Sequence, residues 1–204
     1  MADKEIIGVL CSGRGTNLQS IIAAVESGQI PAPIGVVLTD KPGVMALERA
    51  EKAGIPHLCI NRKECADKQE FEEKLVKELH AHGVTLVVLA GFMRILSPYF
   101  VREFKGRILN IHPALLPSFP GAHAHRDVLA YGVKVSGVTI HFVDEGTDSG
   151  PIILQAAVPV EDDDTEDTLA ARVLVEEHKL YPRAIELYLK GKLKVEGRKV
   201  RIIK

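Results

Sequence analysis

Short apolar runs alternating with helix-patterned segments constrain this chain more than any other feature. Residues 6–11, 34–38, 57–60 and 84–90 are apolar and bounded by glycine, proline or polar turn formers. Runs of that length and composition read as strands, the first of them buried. Between them, Leu18, Ile21, Ile22 and Val25 recur at helical spacing up to Gly28, and residues 45–53 form a short helical stretch stopped at Gly54. Phe71, Leu75, Val76 and Leu79 mark one face of an amphipathic helix closed by Gly83. Residues 108–111 continue the pattern as a fifth strand. Parallel strands need crossover segments, so strand–helix alternation predicts a parallel sheet with helices on both faces. Such crossovers are right-handed in nearly all proteins.

The character changes further on. Residues 135–143 alternate apolar and polar, and residues 151–160 follow a loop of Asp, Gly and Thr, which predicts an antiparallel pair. Residues 165–190 form a long helix with Asp164 or Thr165 as its cap and Leu169, Val173, Leu180 and Ile185 facing inward. The tail, 193–195 and 200–203 around Glu196-Gly197, reads as a small hairpin. The expected fold class is α/β, Rossmann-like, with a mostly parallel central sheet, helices on both faces and late antiparallel strands. At 204 residues with no repeat, linker or low-complexity stretch, the chain is expected to be one domain, 1–204.

Composition removes several classes. Basic residues number 26 and acidic residues 27, for a net charge of −1, so no global attraction to nucleic acid is expected. Cys11, Cys59 and Cys65 form an odd set without metal-type spacing. Cys11 and Cys59 lie in apolar runs as small hydrophobes, which suits a reducing compartment. Met1-Ala2-Asp3-Lys4-Glu5 leads into an apolar run, 6–11, too short for a signal core or a membrane span. A cytoplasmic protein without a membrane partner is expected.

Polar motifs interrupt the strand ends. Cys11-Ser12-Gly13-Arg14-Gly15-Thr16-Asn17 lies between the first strand and first helix. Glycines there let backbone amides approach an anion at a helix N-terminus. The same residues equally suit a tight turn capped by Thr16 or Asn17. Leu18 stands where a dinucleotide fingerprint requires glycine, and a triphosphate-loop lysine is missing. Asn110-Ile111-His112-Pro113 ends the fifth strand, and residues two apart in a strand share a face. An amide donor and an imidazole together can bind an oxyanion and move a proton; a lone histidine is otherwise structural. Asp144-Glu145-Gly146-Thr147-Asp148-Ser149-Gly150-Pro151 is either a solvated turn or the source of a carboxylate for His112. His123 and His125 are two apart with no third ligand of clear spacing, so no metal is expected.

In this order the motifs resemble the phosphoribosylglycinamide formyltransferases, within the folate-dependent formyltransferase superfamily. The likeness runs from Ser12-Gly13-Arg14-Gly15-Thr16-Asn17-Leu18 through Leu89-Ala90-Gly91-Phe92-Met93-Arg94-Ile95-Leu96-Ser97 and Asn110-Ile111-His112-Pro113. It continues with Leu115-Leu116-Pro117, His141-Phe142-Val143, Asp148-Ser149-Gly150-Pro151 and Glu176-Glu177-His178. The resemblance implies that Gly15, Thr16 and Asn17 hold the phosphate of glycinamide ribonucleotide and that Glu177 lies near its ribose. It implies that Met93, Arg94, Ile95 and Leu96 line one wall of the folate pocket. Asp144, Glu145, Gly146, Thr147 and Asp148 line the other, and Lys68 also contacts the folate. The N-terminal half would then bind phosphate and the C-terminal half folate.

Asn110, His112 and Asp148 match the family's catalytic trio, with 10-formyltetrahydrofolate as co-substrate, no metal, and a monomer or homodimer. The chemistry fits the residue types. An unprotonated glycinamide amine attacks the formyl carbon, Asn110 and His112 donate to the oxyanion, and Asp148 holds His112 and relays a proton. Superfamily relatives acting on initiator tRNA carry an extra C-terminal domain and basic charge, whereas this chain is near neutral and ends soon after the long helix. The formyltetrahydrofolate hydrolases carry an additional N-terminal domain, and amino-sugar formyltransferases carry further domains. A non-catalytic phosphate-binding module would leave Asn110 and His112 without purpose. A hydrolase built on His123 and His125 would hold a stoichiometric metal.

Overall fold

A computed structural model describes residues 5–203. The first four residues, part of the segment read against a leader peptide, lie outside the described residues. The chain divides into two compact units, Met1–Leu109 and Asn110–Lys204.

The first unit contains β1 (Ile7–Cys11), α1 (Thr16–Glu26), β2 (Ile34–Thr39), α2 (Met45–Lys52), β3 (His57–Cys59), α3 (Lys68–Ala81), β4 (Leu86–Leu89) and α4 (Pro98–Glu103). Its strands lie in the order β3-β2-β1-β4 and pair in parallel throughout. Every residue of β1 and β4 is buried, which requires cover on both faces and explains the unbroken apolar runs. A Cβ on Gly8 would lie 2.5 Å from Leu79 Cδ2, so glycine lets α3 pack close against β1. Phe71, Leu75, Val76 and Leu79 are buried as the helical spacing predicts, and Asp67 caps the helix by accepting from Glu70 N at 2.8 Å.

Two short elements escaped the periodicity. The 3-10 turn Arg62–Glu64 and α4 are too brief to show a repeat. Ser97 followed by Pro98 is nevertheless a cap and a first-turn proline. Ser97 N also donates to Glu72 Oε1 at 2.8 Å, and its hydroxyl donates to Glu72 Oε2, which satisfies a carboxylate buried on α3.

The chain crosses into the second unit within β5 (Ile108–His112) and continues through α5 (Ala124–Tyr131), β6 (Val135–Phe142), β7 (Ile152–Pro159), α6 (Glu166–Leu189), β8 (Leu193–Glu196) and β9 (Lys199–Ile202). β6 and β7 form the expected antiparallel pair, with an irregularity between Ile140 and His141. β8 and β9 form the expected hairpin, and β9 lies parallel to β7 through Ile152 and Lys199. The fold class is therefore α/β, with parallel strands early and antiparallel strands late.

α6 packs on β6 and β7. Thr165, not Asp164, is its cap and shares a capping box with Thr168. Asp164 instead receives Arg172 at 2.6 and 2.9 Å, and this pairing holds its carboxyl well below the usual carboxylate range. Leu169, Val173 and Ile185 are buried as expected. Leu180 is only partly buried and Tyr181 is fully buried in its stead, because a 3.6-residue period drifts across a helix of 24 residues. No helix among the described residues is long and apolar enough to cross a membrane.

Candidate active site

In the second unit, β5 ends in Asn110-Ile111-His112, and the alternation of the strand puts both polar side chains on one side. The turn after β6 brings Asp148 to meet them. His112 Nδ1 lies 3.4 Å from Asp148 Oδ2, and Asn110 Nδ2 lies 3.5 Å from Asp148 Oδ1. The side chains of His112 and Asp148 are 4% and 13% exposed, so their interaction is weakly screened. The sequence-predicted trio is assembled.

Three further groups hold it. Gly121 N donates to Asp148 Oδ2 at 2.8 Å. His112 Nε2 donates to the Phe119 carbonyl at 2.7 Å, so both ring nitrogens face oxygen acceptors. The third group is His141, buried on β6, whose Nδ1 lies 2.8 Å from the Phe142 carbonyl. That contact assigns the ring proton to Nδ1 and leaves a lone pair on Nε2, which accepts from Asn110 Nδ2 at 3.1 Å. Burial lowers the His141 pKa and keeps this ring neutral, outweighing the 3.7 Å approach of Asp148 Oδ1.

Asn110 is thereby held with its NH₂ group, not its carbonyl, toward Asp148. One amide hydrogen is engaged by His141. The other reaches Asp148 only at the limit of a hydrogen bond and is available to a better acceptor.

The backbone of this unit is unusual at Phe119, with φ of 52°, and at Asp148, with φ of 50°. Both lie in the left-handed region, which is costly for a bulky side chain such as phenylalanine. Within the preceding turn, Asp144 Oδ1 accepts from Gly146 N at 3.1 Å and Ser149 Oγ at 2.6 Å, an Asx-type closure that leaves Glu145 and Thr147 exposed. Glu177 is 8% exposed midway along α6. His123 occupies the cap position of α5 without a side-chain hydrogen bond, and His125 in its first turn is lowered in pKa by burial. No cluster of three or more His, Cys, Asp or Glu side chains among the described residues is arranged to hold a metal ion.

The first unit supplies two clefts. One, of about 310 Å³, is lined by Ser12, Gly13, Arg14, Gly15, Thr16, Asn17, Ala90, Gly91 and Met93. Gly15 is the cap residue of α1 at φ of 69°, and no side chain caps the helix, contrary to a Thr16 or Asn17 cap. Ser12 N donates to the Gly91 carbonyl at 3.1 Å and Met93 N donates to Ser12 Oγ at 2.9 Å, so the ends of β1 and β4 brace each other. The other cleft, of about 230 Å³, is lined by Arg62, Lys68, Phe71, Glu72, Arg94 and Ile95. Lys68, Arg94 and Ile95 thus share one cleft while Met93 lines the other, and Leu96 is a core residue at 9% exposure. Arg94 Nε donates to the fully buried Asp40 at 2.7 Å.

Sequence reasoning gave no role to His141, to the Phe119 carbonyl or to Gly121 N. The signal for His141 is a polar residue set in an apolar strand, where burial without a partner is costly. The two backbone partners carry no side-chain signal.

Residues 5–185 match the formyl transferase family. The chain is a member of that family. Among its relatives, the phosphoribosylglycinamide formyltransferase of Escherichia coli is 44% identical over 93% of this chain and 89% of its own length. The trifunctional purine biosynthetic protein adenosine-3 of Drosophila melanogaster is 49% identical over 92% of this chain, which spans only 14% of that longer protein. The crystal structure of glycinamide ribonucleotide transformylase 1 from Symbiobacterium toebii superposes with a TM-score of 0.97 at 48% identity, covering 100% of this chain and 96% of that one. This member of the family therefore shares its sequence pattern and its fold with relatives so named.

Proposed function

We propose that this chain transfers the formyl group of 10-formyltetrahydrofolate to the amine of glycinamide ribonucleotide. The observation that carries the reading is the convergence of Asn110, His112 and Asp148 around one weakly solvated point. Asn110, oriented by His141, and His112, through the Nδ1 that lies a long 3.4 Å from Asp148, donate to the negative charge that develops on the formyl oxygen as the unprotonated amine attacks the formyl carbon. Donors aimed at such charge typically contribute about 3–4 kcal/mol each. Asp148 holds His112, accepts the proton the attacking nitrogen must lose, directly or through water, and returns it to the departing folate nitrogen. No metal enters the scheme.

Gly15, Thr16 and Asn17 bind the substrate phosphate, in keeping with a helix N-terminus that has no side-chain cap bond and lies in a cleft these residues line. Glu177 binds the ribose. Met93, Arg94, Ile95 and Leu96 contact the folate, the turn from Asp144 to Asp148 also contacts it, and Lys68 with Arg94 binds the carboxylates of its glutamate tail. Residues 1–204 act as one formyltransferase domain in the cytoplasm, monomeric or homodimeric, without nucleic acid or membrane.

The test is absorbance at the wavelength where deformylated folate appears, with 10-formyltetrahydrofolate present and the ribonucleotide present or absent. Release that depends on the ribonucleotide is expected. Release without an acceptor would mean hydrolysis, and no release in either case would refute the reading.

A further inference from the structure

We infer that Arg49, on α2 and outside the family motifs, is a positioning residue that aligns the amides of the phosphate loop. This rests on the reading of Gly15, Thr16 and Asn17 as a phosphate site and adds how that site is kept in shape. Arg49 Nε donates to the Arg14 carbonyl at 2.8 Å, and Arg49 Nη1 donates to Gln19 Oε1 at 3.0 Å. One turn earlier on the same helix, Ala46 N donates to the Gly13 carbonyl at 3.2 Å. Two consecutive carbonyls of the loop are therefore held by α2.

The peptides Gly13–Arg14 and Arg14–Gly15 are trans, so each carbonyl and the following N–H point in opposite directions. Fixing the Gly13 and Arg14 carbonyls toward α2 turns the N–H groups of Arg14 and Gly15 away from it as a pair. Successive amides aimed alike form an anion-binding concavity. The fit is close: a Cβ on Gly15 would lie 2.9 Å from Ala46 Cα and 3.3 Å from Arg49 Cδ, and its φ of 69° suits glycine. Arg49 contributes twice, since its fork reaches the loop carbonyl and the first turn of α1 together and its charge adds to the field at the site. Nothing in this scheme requires Arg49 to touch the phosphate.

The experiment compares the full-length protein with its Arg49→Gln and Arg49→Lys variants, reading KM for glycinamide ribonucleotide, KM for 10-formyltetrahydrofolate, kcat and Tm. Arg49→Gln is expected to raise KM for the ribonucleotide roughly tenfold, the factor that corresponds to about 1.4 kcal/mol, with kcat and the folate KM changing much less. Arg49→Lys keeps the charge and one bond and should fall between. Gln19→Leu, which removes only the second anchor, should shift the same constant by a smaller factor. A KM for the ribonucleotide unchanged in Arg49→Gln would overturn the proposal. So would an equal rise in both Michaelis constants together with a fall in Tm, which marks general loosening. A wild type that never saturates with the ribonucleotide would remove the phosphate reading and this proposal together.

Discussion

His112 and His141 are one residue type held in two hydrogen-bonding roles by what surrounds each ring. His112 faces two oxygens, and His141 faces a carbonyl on one side and an amide NH₂ on the other. His112→Ala should lower kcat by about 10²–10³, the usual cost of losing a donor aimed at developing negative charge. Asp148→Asn should reduce kcat more than it raises either KM; an effect confined to KM would contradict its role. His141→Phe should also lower kcat, roughly tenfold or more, because Asn110 loses the acceptor that orients it, while binding of the ribonucleotide is kept. Steady-state kinetics on folded variants decide all three. The buried His141 also makes a pH argument. Its folded pKa is below its ordinary 6.5, so as pH falls past 6.5 the unfolded chain takes up a proton that the folded chain refuses. The stability this site contributes is fully present above that pH and is lost as pH falls through the lowered folded value. His141→Phe should flatten the decline of Tm between about pH 7.5 and 5.5, and an unchanged slope would contradict the neutral assignment.

At the scale of elements, caps and pairings carry the local detail. Thr165→Ala removes one half of a reciprocal capping box and should cost about 1 kcal/mol in denaturant unfolding. β1, β2 and β4 were legible because burial on both faces leaves no polar interruption, and α3 because Phe71, Leu75, Val76 and Leu79 keep helical spacing. α4 was not, since six residues are too few to establish a period. Asn110 and His112 were legible as a pair because strand alternation is a local rule. Their convergence with Asp148 depends on a chain reversal 36 residues past His112, which no local pattern encodes. The resemblance supplied that assignment, and backbone partners such as the Phe119 carbonyl remained invisible because any residue offers the same group.

For the whole molecule, the cysteines report on packing from distinct depths. Cys11 is fully buried on β1, and burial pushes its thiol up to about 12, so it should resist thiol reagents until the chain unfolds. Cys59, at partial exposure, should label first and Cys65, at 8% exposure, later. Timed labelling followed by peptide mapping checks the order, and early modification of Cys11 would mean that the core of the first unit opens readily.

A last consequence follows from the left-handed backbone at Phe119, whose carbonyl receives His112. A contact to the proposed catalytic histidine made by the main chain cannot be removed by changing a side chain, only by changing the conformation that aims it. Saturation mutagenesis should therefore give position 119 a profile sorted by torsion preference instead of chemistry. Glycine and asparagine should be accepted with full activity, while valine, isoleucine and proline should be rejected.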